Sequence, residues 1–257
     1  MMQRLLLVLI LFFILLTSPL IVHAADITLS SDGYALKGME DNTIRLYDIA
    51  RDKTLKTLKG HADVVISLAL SPDGYYALSG SRDRTIKLWH LSTGREIKTF
   101  YGHAGDVTSV AFSPDGRHVV SGSSDKLVKI WDAESGREIK TLKGHKNEVI
   151  SVAFSPDGNF VMSMGRDSLK LWNFSKAVIE WEYTEPGKEL TVAAFSPDSK
   201  YIFAGIKPDA LLSYDINTGK VTKDADIFGA GWKQYCIYSI LFCWQERHIL
   251  LCCSRKQ

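Results

Sequence analysis

Short apolar, β-branched runs recur along the chain, and each is closed by the same turn. VVISLALS, VTSVAFS and EVISVAFS lead into Ser-Pro-Asp-Gly at residues 71–74, 113–116 and 155–158, and a related Ser-Pro-Asp-Ser stands at 196–199. Proline presets φ and glycine accepts positive φ, so the motif predicts a tight turn between two strands. YYALSGS and HVVSGSS then read as second strands, TIKLWH and LVKIWD as third, REIKTFYG and REIKTLKG as fourth. The first run of each set is apolar almost throughout, the pattern of a strand buried on both faces. The fourth carries lysines, which blunt a sheet edge.

These sets keep a fixed period. Gly60-His61, Gly102-His103 and Gly144-His145 are 42 residues apart, and each unit carries an aspartate followed by an aromatic: Asp83 with Trp89, Asp125 with Trp131, Asp167 with Trp172. Four short strands in about 42 residues describe one blade of a β-propeller. The fold class expected is therefore all-β, a propeller of four-stranded antiparallel blades. About five units fall at residues 25–58, 59–100, 101–142, 143–184 and 185–228, within one domain spanning 25–228. Five is short of the number that usually closes such a ring, which leaves room for an incomplete one.

Gly-His, Ser-Pro-Asp-Gly, the turn aspartate and the Trp-Asp pair recur in order, and in this the chain resembles the WD-repeat β-propeller family. The dipeptide itself is literal only at Trp131-Asp132. It appears as Trp89-His90 and Trp172-Asn173 in the neighbouring units, and as Tyr47-Asp48 and Tyr214-Asp215 in the outer ones. The resemblance implies a hydrogen-bonded tetrad inside each blade. The three full sets would be His61, Ser79, Asp83 and Trp89; His103, Ser121, Asp125 and Trp131; and His145, Ser163, Asp167 and Trp172.

Serine, histidine and aspartate also make up a hydrolase triad, but a triad needs an exposed nucleophile and an oxyanion hole. A set that occurs three times with a tryptophan attached reads as architecture, and no catalytic residue is assigned. The outer units lack full sets. In the first, the position of the Gly-His histidine falls at Leu20. In the fifth, Pro186-Gly187 replaces Gly-His and Gly205 replaces the serine.

The ends differ from the body. Arg4, the apolar core from Leu5 to Leu16, and Val22-His23-Ala24 fit a signal peptide over residues 1–24, cleaved after Ala24; the alternative is a retained anchor. Export is the expected localisation, periplasmic or secreted. All four cysteines, Cys236, Cys243, Cys252 and Cys253, lie in the segment 229–257, which carries no repeat motif. We read it as a frame-shifted or truncated end standing in place of further blades. The adjacent Cys252-Cys253 pair lacks the second spaced pair that a zinc site uses, and no metal or cofactor is assigned.

With 31 basic and 29 acidic residues, the chain has no broad positive field for nucleic acid. No stable membrane span is expected once the signal is removed. A repeat disc without a nucleophile elbow, metal motif or phosphate loop reads as a non-catalytic scaffold for one or more protein partners. The turn between second and third strands presents Glu40, Arg82, Ser124, Arg166 and Pro208 just before the aligned aspartates, and the resemblance implies that such positions contact partners. Arg82 and Arg166 are the leading candidates. The alternatives are a ligand-sensing or enzymatic propeller with a site in the central channel, where Ser67, Ser109 and Ser151 are the main polar groups, or a fragment of a larger protein. An incomplete ring would also permit self-association.

Overall fold

A computed structural model describes residues 27–29, 33–166, 168–206, 210–224, 235–243 and 248–255. Every regular element among them is a strand. Blade 1 is β1 (Ile27–Leu29), β2 (Tyr34–Gly38), β3 (Ile44–Asp48) and β4 (Lys53–Leu58). Blade 2 is β5 (Val65–Leu70), β6 (Tyr76–Ser81), β7 (Ile86–His90) and β8 (Arg95–Phe100). Blade 3 is β9 (Val107–Phe112), β10 (His118–Ser123), β11 (Leu127–Asp132) and β12 (Glu138–Lys143). Blade 4 is β13 (Val149–Phe154), β14 (Phe160–Gly165), β15 (Ser168–Asn173) and β16 (Val178–Thr184), and blade 5 is β17 (Leu190–Phe195), β18 (Tyr201–Ile206), β19 (Ala210–Asp215) and β20 (Val221–Asp224). Each is an antiparallel meander in sequence order, and together they form an incomplete β-propeller with no closed sheet.

The core lies between the blades. Leu36, Ile44, Leu46 and Leu58 of blade 1 pack against Val65, Leu68, Ala77 and Trp89 of blade 2. Leu78, Ile86, Leu88 and Phe100 meet Val107, Val110, Val119 and Trp131 in the same way, and blade 3 repeats the arrangement against blade 4. Close approach requires glycine: a Cβ on Gly122 would sit 2.6 Å from Val149 Cγ1, and one on Gly80 2.8 Å from Val107 Cγ1. At the corresponding place in β14 stands Met164, which is itself buried.

The Ser-Pro-Asp-Gly turns also stack from blade to blade. Pro72 lies against Gly116 and Pro114 against Gly158, both glycines at φ near +70°, and the amide of Asp157 donates to Ser199 Oγ at 3.0 Å. Inside each turn a serine hydroxyl donates to the aspartate, as Ser71 does to Asp73.

One detail differs from the sequence reading. The strand register puts Ala204, rather than Gly205, opposite Ala193 and level with Ser163, because blades 4 and 5 are offset by 41 residues instead of 42. The conclusion that this unit lacks the hydroxyl is unchanged. The segment read as a non-repeating tail contains an antiparallel strand pair, β21 (Tyr235–Cys243) and β22 (His248–Arg255), with β21 lying beside β17. The residues of the signal reading, 1–24, lie outside the described residues.

Candidate functional site

In blade 2 the third strand carries Trp89 and the second carries Ser79, so that the indole Nε1 donates to Ser79 Oγ at 2.8 Å. His61, from the loop between blades, places Nε2 2.6 Å from the same hydroxyl and Nδ1 2.7 Å from Asp83 Oδ2. Blade 3 repeats this with Trp131, Ser121, His103 and Asp125, each of the three contacts at 2.8 Å. Blade 4 keeps Trp172 and His145 on Ser163, both at 2.7 Å, and Ser168 Oγ lies 3.0 Å from His145 Nδ1. Asp167 lies outside the described residues.

The protonation pattern follows from what each group is able to do. An indole only donates and an ionised carboxylate only accepts. Ser79 therefore accepts from Trp89 and donates to His61 Nε2, while His61 donates from Nδ1 to Asp83. Desolvation holds His61 and His103 below the ordinary histidine range, outweighing the pull of their aspartates, so both are neutral at pH 7. For Asp83 burial acts upward, but hydrogen bonds from Thr85, His61 and the Ala62 amide prevail and leave its carboxyl below the usual range. The direction of proton donation is that of a serine hydrolase, but Ser79, Ser121 and Ser163 have no exposed surface.

Glycine completes each set. A Cβ on Gly60 would sit 2.8 Å from Glu96 Oε2 and 3.1 Å from Trp89 Cη2, and Gly102 meets Trp131 and Glu138 likewise. The outer blades diverge, as Lys37 occupies the serine level in β2, opposite Arg45. Asp41 instead accepts from the amide and hydroxyl of its neighbour Thr43.

A second repeated cluster was not read from the sequence. Lys87 Nζ is buried beside Trp89 and donates to Glu96 Oε2 at 2.8 Å and Thr99 Oγ1 at 2.9 Å. Lys129 does the same with Glu138 at 2.7 Å and Thr141 at 2.9 Å. A bulge makes this possible: β8 slips by one residue between Leu88 and Trp89, which sets Ile97 outward and brings Glu96 opposite Trp89. In blade 4, Ile179 stands opposite Trp172, and the carboxylate comes from Glu182, at the threonine's level. The repeated Lys-x-Trp spacing and the four-residue run Glu-Ile-Lys-Thr carried the signal.

The lysines expected to blunt the fourth strands have partners across the blade junctions. Lys98 packs over Gly136, and Lys140 Nζ donates to the carbonyls of Phe174 and Ser175 at 2.9 and 2.6 Å. The channel serines are also engaged, since Ser67 Oγ accepts from the Val110 amide and Ser109 Oγ from the Val152 amide, both at 3.1 Å.

On the face bearing the turns between second and third strands, Arg166 bridges Glu148 at 3.0 Å and Glu189 at 3.1 Å, with 60% of its side chain exposed. Arg82 lies 4.0 Å from Asp106 and is about half exposed. Ser124 is half-buried against Gly105, and Glu40 is exposed. Pro208 lies outside the described residues. Among the described residues no group of three or more potential ligands is placed to hold a metal ion, and no helix is long and apolar enough to cross a membrane.

The WD domain, G-beta repeat family model matches the chain three times, over residues 52–90, 94–132 and 136–173. Each match starts at the fourth strand of one blade and ends on the third strand of the next, so the sequence repeat interlocks successive blades. Residues 52–173 are thus a run of WD repeats, and proteins built of such repeats are in general protein-interaction scaffolds. No curated protein matches it.

Proposed function

We propose that this chain is a non-catalytic platform for protein partners in an exported compartment, acting after cleavage behind Ala24. The observation that carries the reading is the state of the repeated serines. Ser79 and Ser121 have the donor order of a nucleophile, yet they and Ser163 are sealed from solvent and held by an indole as well as an imidazole. A hydroxyl that meets no substrate is a fastener, and what remains at the surface is a rigid disc of turns.

Arg82 and Arg166 are the partner contacts this reading favours, with Ser124 and Glu40 beside them on the same face. Arg166 is held in place by two carboxylates, which reduces the entropy it would lose on binding. The balanced surface charge speaks against nucleic acid as the partner. The test has two parts. The mass of the chain recovered from the exported fraction should correspond to a start at Ala25. Crosslinked partners should be lost when Arg82→Glu and Arg166→Glu are combined, and unchanged capture by that variant would remove the two arginines from the interface.

A further inference from the structure

Between blades 1 and 2, on the face bearing the Ser-Pro-Asp-Gly turns, lies a cavity of about 620 Å³. That is within the range of ligand sites, roughly 300–1,000 Å³. Leucines, among them Leu36, Leu46, Leu70 and Leu91, line it together with Tyr34 and the turn at residues 71–74, with Lys56 at the rim.

The junction between blades 3 and 4 shows what such a groove holds when it is filled. There Phe174 follows the third strand and packs edge-on against Phe154 at 5.4 Å and His118 at 5.0 Å. Lys140 Nζ sits 5.7 Å from the Phe174 ring centre while donating to the carbonyls of Phe174 and Ser175. The strand registers make Lys56 the counterpart of Lys140, since Lys56 pairs with Leu46 as Lys140 pairs with Ile130. Leu91 is the counterpart of Phe174, and Leu70 of Phe154. At the first junction the aromatic pair is thus replaced by two leucines, Tyr34 stands at the level of His118, and among the described residues Lys56 packs over Gly94 with no ring or carbonyl contact at its ammonium group.

We propose that this cavity binds a phenylalanine side chain presented by an extended segment of a partner protein, with Lys56 capping the ring and taking the carbonyl oxygen beside it. The occupant is read from the chain's own Phe174, which makes these contacts from within. The site is separate from the face that carries Arg82 and Arg166 and stands or falls independently of their role.

The probe is the blocked tetrapeptide Asn-Phe-Ser-Lys, copied from residues 173–176, compared with the same peptide carrying alanine for phenylalanine. The readout is the leucine methyl NMR spectrum of the full chain. Saturable shifts of the Leu36, Leu46, Leu70 and Leu91 methyls with the phenylalanine peptide, and none with the alanine peptide, are the expected result. Lys56→Met, at an exposed position, should weaken binding about fivefold to tenfold through the lost cation–π contact and hydrogen bond. Leu91→Phe fills the cavity from inside and should abolish binding. Absence of shifts at these methyls, equal response to both peptides, or full affinity in a folded Lys56→Met or Leu91→Phe chain would overturn the proposal. Methyl shifts on dilution of the chain alone would identify a second copy as the occupant and also overturn it.

Discussion

The indole of Trp131 hydrogen-bonds the hydroxyl of Ser121 at 2.8 Å, and both side chains are shut away from water. Because His103 Nε2 meets the same oxygen at 2.8 Å, one hydroxyl serves two buried polar groups that have no solvent to fall back on. Removing it strands both.

Ser121→Ala should therefore cost more than a single hydrogen bond. Each buried group left without a partner costs about 1–3 kcal/mol, so the pair should lower stability by about 2–4 kcal/mol. Ser135→Ala, which removes an exposed hydroxyl from the β11–β12 turn, should cost about 0.5 kcal/mol or less. Urea unfolding of the two variants, compared at constant m-value, measures the difference. Equal midpoints would show that the tetrad does not hold the blade together.

Stability should fall on mild acidification. His61 and His103 have folded-state pKa values depressed below 6.5, chiefly by burial, so the unfolded chain binds protons that the folded chain refuses. Their contribution is complete above about pH 6.5 and is lost as pH drops through the folded values. Asp83 and Asp125 are also depressed, which places their loss at lower pH, starting near the ordinary carboxylate value of 3.8 and continuing through the folded values. The melting temperature should accordingly decline between pH 7.5 and 5.5 and drop further below pH 4. A flat profile between pH 7.5 and 5.5 would contradict the neutral state assigned to these histidines.

The architecture was legible because Gly-His, Ser-Pro-Asp-Gly and the tryptophan each mark a fixed place in the blade. Gly60 has to leave room for Trp89, and Gly116 has to take a positive φ under Pro72. The tetrads followed from the family resemblance, and the structure places His61, Ser79, Asp83 and Trp89 within hydrogen-bonding distance of their neighbours. The fifth unit was misaligned by one residue at Ala204 because the offset changes to 41, which a constant step hides. Lys87, Glu96 and Thr99 went unread because their meeting depends on a bulge, and strict alternation along β8 would have turned Glu96 to the other face. The first cavity was invisible for a different reason. It is lined by Leu70 and Leu91 where the junction of blades 3 and 4 has Phe154 and Phe174, and a leucine at such a position raises no signal by itself.

The equivalent bulge in blade 3, where β12 slips by one residue between Ile130 and Trp131, sets up an asymmetry in the lysine clusters. Lys129 and Glu138 form one ion pair, but Lys129 has 8% of its side chain exposed and Glu138 36%. When the lysine is lost, as in Lys129→Met, the carboxylate turns to water and the methionine stem keeps its packing against Trp131, so the cost should be about 1 kcal/mol or less. When the charge of the glutamate is lost, as in Glu138→Gln, an ammonium group stays buried with only an amide oxygen and Thr141 Oγ1 to receive it. Uncompensated buried charge costs several kcal/mol when fully enclosed, and this partly open site should lose about 2–3 kcal/mol. Denaturant titration of the two variants gives the order directly. If Lys129→Met proves the more damaging, the pair is held by attraction to the glutamate rather than by the need to satisfy a buried cation, and the bulge that aims Glu138 would have to be explained by something other than Lys129.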